Sequence, residues 1–383
     1  MHDLKVNILG DFIDSYIYSG VLFTVDVNGV LCSYSWKHLV ERYIDSYPKY
    51  EKYKINLLDS RDKKGLYLQE DITINIEKKF LEKNQKGTCT GLNVWCTDLD
   101  VKDNILYISS EKGVETLPFL NQWHNGAVEE FVKPDLVWSG SKIFGISTGS
   151  WGRTILAAGN LGALEIVNTD VEQLRNIGLE KGTLKYRDNL EKKINDDVIL
   201  DCEWNSVSTL AILDGIDKKL TYGFEDLGSD SIFKDDAKSK LRLSQLRQED
   251  KDKKIKTALS SLKNKEADGV SLGEFSQTWF ESNSLHALDS SRNKYIFDNK
   301  NKKWKNSSKV SGLEEVSAVR LKHISAGSFL ETEEDELFRI SDGKKYTMPE
   351  DFSSWRVFPR SKSYQDRIHI VYDDFLQIRI FDN

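Results

Sequence analysis

Short apolar or alternating runs recur along the 383-residue chain, with polar turns between them. The first, Gly20-Val-Leu-Phe-Thr-Val-Asp-Val27, is followed across Asn28-Gly29 by Val30-Leu-Cys-Ser-Tyr-Ser-Trp36. Asn-Gly between two such runs predicts a β-hairpin, because both central residues of the favoured two-residue turn need positive φ. Similar β units are predicted near Trp95 to Phe119, Leu136 to Val167, Val198 to Phe224, Trp279 to Trp304, Val316 to Met348 and Trp355 to Asp382. In the last of these, Arg367-Ile-His-Ile-Val-Tyr372 and Leu376-Gln-Ile-Arg-Ile-Phe381 form a predicted hairpin around Asp373-Asp374. The pattern is that of about seven or eight β units with period-2 runs, and the fold class expected is all-β.

One internal likeness goes beyond strand content. Ile146-Ser-Thr-Gly-Ser-Trp151 and Ile324-Ser-Ala-Gly-Ser-Phe329 share Ile-Ser-x-Gly-Ser and an aromatic, and each precedes a strand-like run, Ala163 to Val167 or Leu337 to Ile340. Their starts lie 178 residues apart, compatible with four periods of about 45, the spacing of propeller blades. In general form these units resemble the blades of WD40-like β-propellers, in diverged form, since no Trp-Asp dipeptide ends a strand and no Gly-His precedes one. The resemblance implies a propeller of about seven blades spanning residues 1–383, with two β-sandwich-like domains as the rival architecture. Leu4 to Leu9 and Leu376 to Phe381 both have strand patterns, so the chain ends are expected to meet in one sheet and close the ring.

Two regions break the β pattern. Ser35 to Tyr47 places Leu39, Val40, Tyr43 and Ile44 at helical spacing before Pro48 and predicts one short surface helix. Residues 234–266 set Leu241, Leu246, Ile255, Leu259 and Leu262 among Lys, Arg, Glu and Gln, with no Pro or Gly, and suit a charged insertion that is helical or partly disordered.

The net charge of −7 weighs weakly against nucleic acid, yet 234–266 alone carries a local +5, and Lys251, Lys253, Lys254 and Lys256 cluster within it. Those lysines could grip phosphate, but no aromatics are interleaved for base stacking. Leu241, Leu246, Leu259 and Leu262 would form an apolar stripe that docks on the parent blade or on a partner. These eight residues are the candidate partner-binding positions. No apolar run approaches 18 residues and the N-terminus lacks an apolar signal core, so a cytoplasmic protein with no membrane association is expected. Cys32, Cys89, Cys96 and Cys202 lack zinc spacing and are expected as buried reduced thiols.

Catalytic motifs are weak. Gly145-Ile-Ser147-Thr-Gly149 fits a nucleophile elbow, but no amphipathic helix follows it, and a blade turn is the preferred interpretation. Ser139-Gly-Ser-Lys142 is expected to be a turn, and Asp98-Leu-Asp100-Val-Lys-Asp103 has the wrong spacing for a calcium loop, so its carboxylates are expected to be solvated in a loop. The six histidines are scattered, and neither a P-loop nor a Gly-x-Gly-x-x-Gly motif is present. No cofactor and no catalytic residue is assigned. The function expected is a non-catalytic scaffold or recognition subunit binding one or more proteins. The alternatives are a propeller hydrolase or lyase with its site at the channel mouth, and a nucleic-acid-associated subunit using the basic insertion.

Overall fold

The computed structural model describes residues 2–58, 68–92, 95–102, 104–119, 126–131, 134–149, 153–167, 190–205, 210–216, 219–224, 250, 264–266, 275–281, 284–291, 293–298, 301, 303–309, 318–341, 344–348, 350–361 and 363–381. After β1 (Asp3–Leu9), blade I begins with β2 (Phe12–Tyr18), β3 (Val21–Asp26) and β4 (Leu31–Ser35). An insertion of α1 (Trp36–Ser46), a 3-10 turn (Pro48–Tyr53), α2 (Lys54–Leu58), β5 (Ile72–Ile76) and α3 (Lys78–Lys83) precedes its fourth strand, β6 (Gln85–Cys89).

Blade II comprises β7 (Cys96–Lys102), β8 (Ile105–Ser110), β9 (Gly113–Pro118) and β10 (Asp135–Trp138), and blade III β11 (Gly145–Thr148), β12 (Arg153–Ala157), β13 (Ala163–Val167) and β14 (Leu190–Asn195). Blade IV is β15 (Ile199–Asn205), β16 (Leu210–Gly215), β17 (Lys219–Phe224) and β18 (Asn264–Glu266), and blade V is β19 (Phe275–Glu281), β20 (Ser284–Asp289), β21 (Asn293–Asp298) and β22 (Lys303–Lys309). Blade VI is β23 (Ala318–Ile324), β24 (Gly327–Thr332), β25 (Leu337–Ser341) and β26 (Lys344–Thr347). Blade VII joins β27 (Ser354–Val357), β28 (Arg367–Val371) and β29 (Phe375–Phe381) to β1 and then β5.

Each blade packs both of its faces on neighbours, so its strands are buried on both sides. β8 is buried at every position, which is why its sequence is a near-continuous apolar run instead of an alternating one. The core is a ring of apolar walls. Phe23 and Leu31 of blade I meet Leu99 and Ile108 of blade II. Ile105 and Tyr107 meet Ile146 and Leu156 of blade III, whose Ile155 and Ala163 meet Cys202 and Leu213 of blade IV. Leu210 and Ile212 meet Phe280 and Leu285 of blade V, and Trp279 and Leu288 meet Leu321 and Leu330 of blade VI. Ile324 and Phe329 meet Trp355 and Ile368 of blade VII, and Leu376 and Leu4 return to Ile17 and Leu22 of blade I. The ring is closed with seven blades.

The closing seam is reinforced by the blade I insertion. β1 runs antiparallel to β29, from Asp3 opposite Phe381 to Leu9 opposite Phe375, and its other edge pairs in parallel with β5. The outer edge of β5 is not left bare: the hydroxyl of Tyr43 donates to the Asn75 carbonyl at 2.9 Å and that of Tyr50 to Thr73 at 3.4 Å. Behind it, the Leu57 carbonyl accepts both the Trp36 indole N–H at 2.7 Å and the Arg367 guanidinium at 3.1 Å. Arg367 and its ion-pair partner Asp366 are both completely buried.

The expected Asn28-Gly29 hairpin, the final hairpin and the meeting of the chain ends are all present. Other details differ. Leu136 to Val167 is not one unit, because β10 is the outer strand of blade II and β11 opens blade III. The two Ile-Ser-x-Gly-Ser copies lie three blades apart and not four, since long third-to-fourth-strand connections in blades III and IV stretch their spacing. The predicted helix is α1, capped by Ser35, but it buries Trp36, Leu39, Val40, Tyr43 and Ile44 and is no isolated surface element.

Two faces of the ring differ. The entry face carries the connections into each inner strand and the turns from second to third strands, most of them short. The hairpin face carries the first-to-second turns and the third-to-fourth connections, including the longest ones, residues 36–84, 119–134, 168–189 and 225–263.

Candidate functional site

The inner strand of five blades carries a β-bulge near its start, between Phe12 and Asp14, Cys96 and Asp98, Ile199 and Asp201, Phe275 and Gln277, and Ala318 and Arg320. A bulge bends the strand and re-aims the side chain that follows it. In three of these blades that side chain is an aspartate whose Oδ1 accepts the next residue's own N–H: Ser15 at 2.7 Å, Leu99 at 2.8 Å and Cys202 at 2.8 Å.

Inner-strand carboxylates of blade II also reach the neighbouring blade. Asp98 accepts the Ile146 N–H at 2.9 Å and Asp100 the Thr148 N–H at 2.7 Å, two contacts with the same 48-residue offset from blade II to blade III. Arg356 of β27 spans blades VII, I and II: its guanidinium donates to Asp14 at 2.6 Å, to Asp98 at 2.8 Å and to the Leu99 carbonyl at 2.9 Å. Arg360 donates to Asp100 and to the Thr148 carbonyl, and the Tyr16 hydroxyl donates to Asp100 at 3.1 Å. Burial pushes the Asp98 carboxyl up, and the Arg356 cation works against that rise. Both guanidiniums stay charged, because burial disfavours the cations but their aspartates more than offset it.

Across the ring, Lys322 of blade VI donates to Glu203 of blade IV at 2.5 Å and stands 3.7 Å from Asp201. Burial would raise the Asp201 carboxyl, but Lys322 and Arg320 hold it below the usual range. The gap beside them, lined by Asp201, Glu203, Thr278, Arg320 and Lys322, encloses about 10 Å³, room for one water.

Ser147 is part of this inter-blade bonding and is not poised for attack. Its hydroxyl is buried and accepts the Trp204 N–H at 2.9 Å. The flanking glycines have a packing reason: a Cβ on Gly145 would sit 2.9 Å from Asp201 Oδ1, and one on Gly149 would sit 2.6 Å from the Trp204 ring. Asp98 and Asp100, expected as solvated loop carboxylates, instead stand on the inner strand of blade II, with Asp100 buried, because two arginines and backbone N–H groups satisfy them there. Ser139 to Lys142 lie in the connection into blade III, as a turn was expected to. Cys89 and Cys202 are buried free thiols, whereas Cys32 and Cys96 are half-buried.

The sequence-derived partner-binding residues Leu241, Leu246, Lys251, Lys253, Lys254, Lys256, Leu259 and Leu262 lie outside the described residues. Their connection joins β17 to β18, and residues Asn264–Glu266 of the 234–266 segment form that fourth strand. No helix among the described residues is long and apolar enough to cross a membrane.

A second feature lies on the entry face. Of the ten large apolar side chains exposed among the described residues, seven sit in or beside its turns and connections. Val27 is in the second-to-third turn of blade I and Trp95 precedes β7. Phe144 and Leu161 belong to blade III, Leu200 and Ile216 to blade IV, and Val319 to the start of β23. Sequence reading missed this set, because isolated apolar residues beside turns show no periodicity and only the topology gathers them on one side.

The described residues thus define a seven-bladed β-propeller closed by its N-terminal strand, with no Trp-Asp dipeptide in the sequence. No protein-family profile and no curated protein matches the sequence. Among solved structures, the Neurospora crassa Pan2 WD40 domain is similar at 8% identity, with a TM-score of 0.45 over 98% of this chain and 90% of that one. A likeness of that degree carries no information about function.

Proposed function

We propose that the protein is a non-catalytic scaffold or recognition subunit that binds other proteins in a cytoplasmic multiprotein assembly. The observation that supports this reading is the state of the central channel. A propeller enzyme would gather its reactive groups there, yet Arg356 and Arg360 are bonded to Asp14, Asp98 and Asp100 and span three blades to do so. Loop-rich faces are what such a molecule offers to partners. The same proposal assigns the 234–266 connection, with its leucine stripe and lysine cluster, as one contact segment.

The test is affinity purification of the tagged protein from its own cells at moderate salt with nuclease treatment, read by mass spectrometry. Stoichiometric protein partners are the expected outcome; a clean monomer would overturn the proposal. Deleting residues 234–266 with the fold intact and every partner retained would remove that segment's assignment. Nuclease-sensitive partners that leave as salt rises would favour the nucleic-acid reading instead.

A catalytic reading has one specific observation in its favour: Asp14, Asp98 and Asp100 converge, and Asp98 is pushed up by burial. If that carboxyl were a general acid or base, Asp98→Asn would abolish turnover of whatever substrate the chain converts while leaving partner binding intact.

A further inference from the structure

The backbone segments that carry Leu161, Leu200 and Ile216 on the entry face are hydrogen-bonded to one another. The Gly159 N–H donates to the Ile199 carbonyl at 2.9 Å, the Ile199 N–H returns to Gly159 at 3.2 Å, and the Ile216 N–H donates to Val198 at 3.3 Å. Leu161, Leu200 and Ile216 therefore stand on adjoining turns of blades III and IV. The Phe144 ring lies over Gly159, where an added Cβ would come within 2.7 Å of it. Lys219 of blade IV donates to the Val319 carbonyl at 3.4 Å and ties the start of blade VI to the same region. Ile216 is 65% exposed and Trp95 58%. Trp95 also holds left-handed backbone at φ 68°, a conformation costly for a bulky residue and one that clusters at functional sites. Leu161, Leu200 and Ile216, gathered on adjoining segments, are the kind of exposed apolar cluster that an interaction surface uses.

Among the described residues, the turns and connections of this face are predominantly acidic. The second-to-third turn of blade VI reads Glu333-Glu334-Asp335-Glu336, that of blade VII carries Asp373 and Asp374, and the connection into blade VII carries Glu350 and Asp351. Asp11, Glu111, Asp196 and Asp197 continue the series elsewhere on the face. Among the described residues of these turns and connections, the only cations are Lys112 and Lys142. Acidic turns on the same face repel an acidic partner and attract a basic one.

We infer that the entry face docks a Lys/Arg-rich polypeptide segment of a partner protein, whose apolar side chains seat on blades III, IV and VI while its cations lie against the acidic turns of blades VI and VII. The inference rests on the protein-binding reading and adds the face and the partner's chemistry.

The probe is a displayed random-peptide library selected on the full-length chain. Enriched peptides are expected to combine Lys or Arg with Leu, Phe or Trp. Their affinity is expected to fall about tenfold on Leu200→Ser with Ile216→Ser, a pair of exposed positions whose change leaves the core untouched. Glu334→Gln with Asp335→Asn is expected to weaken binding and flatten its salt dependence. Enriched peptides that are acidic, binding unchanged by either pair of substitutions, or failure to enrich any peptide would each overturn the inference. The wider reading is checked separately. If the Leu200→Ser, Ile216→Ser protein still retains all its cellular partners in the purification above, the entry-face assignment falls while protein binding stands.

Discussion

Glu281 accepts the Lys294 ammonium at 2.9 Å, and the Nε2 atoms of His286 and His323 stand 3.5 and 3.7 Å from the same carboxylate. Burial first, and then the Lys294 cation, lower His286 to about 4; burial also lowers His323. The Nδ1 of His286 is buried without a partner, so a proton added there would be unsolvated. An unfolded histidine titrates near 6.5, so between about pH 6.5 and 4 the unfolded chain binds a proton that the folded one refuses. Stability therefore falls as pH is lowered through that window, by up to about 1.4 kcal/mol per pH unit from this side chain. His286→Gln is expected to flatten the slope, and urea midpoints at the two ends of the window would measure it. An unchanged slope would show that other groups set the acid sensitivity.

Among the elements, the blade I insertion has the clearest energetic signature. Arg367 donates both to Asp366 and to the Leu57 carbonyl, and neither charged side chain sees solvent. Arg367→Met would leave Asp366 as an uncompensated buried charge and free the α2 carbonyl, with an expected loss of about 3 to 5 kcal/mol in chemical denaturation. A loss below about 1 kcal/mol would mean that water replaces the guanidinium. This clasp was not legible in the sequence. The local signals were: Asn28-Gly29 dictates its hairpin, and Leu39, Val40, Tyr43 and Ile44 dictate α1. What sequence does not carry is where a five-residue run such as Ile72–Ile76 finds its partner, since its pairing with β1 spans other elements and is parallel. The channel was hidden for the same reason. Asp98, Asp201 and Arg356 look like ordinary surface charges until the ring brings their strands together, and only the recurrence of an apolar residue two places before Asp14, Asp98 and Asp201 hinted at the repeated bulge.

For the whole molecule, Arg356 acts as a cross-brace between the last blade and the first two. Arg356→Leu is expected to cost about 2 to 3 kcal/mol, because Asp14 and Asp98 would face each other without a cation. Adding Asp14→Asn should restore part of that loss, and thermal or urea unfolding of the two variants compares them. If the single variant were as stable as the parent, the channel ion pairs would be ornamental to ring closure. The seam has a temporal consequence. Asp3 and its ion-pair partner Arg379 are 376 residues apart, so β1 leaves the ribosome long before β29. At about 5 to 20 residues per second, the edge of β1 destined for β29 waits roughly 20 to 70 s for its partner. Until then the edge of β1 destined for β29 has no partner strand, and translational pausing anywhere before residue 375 prolongs its exposure to other chains.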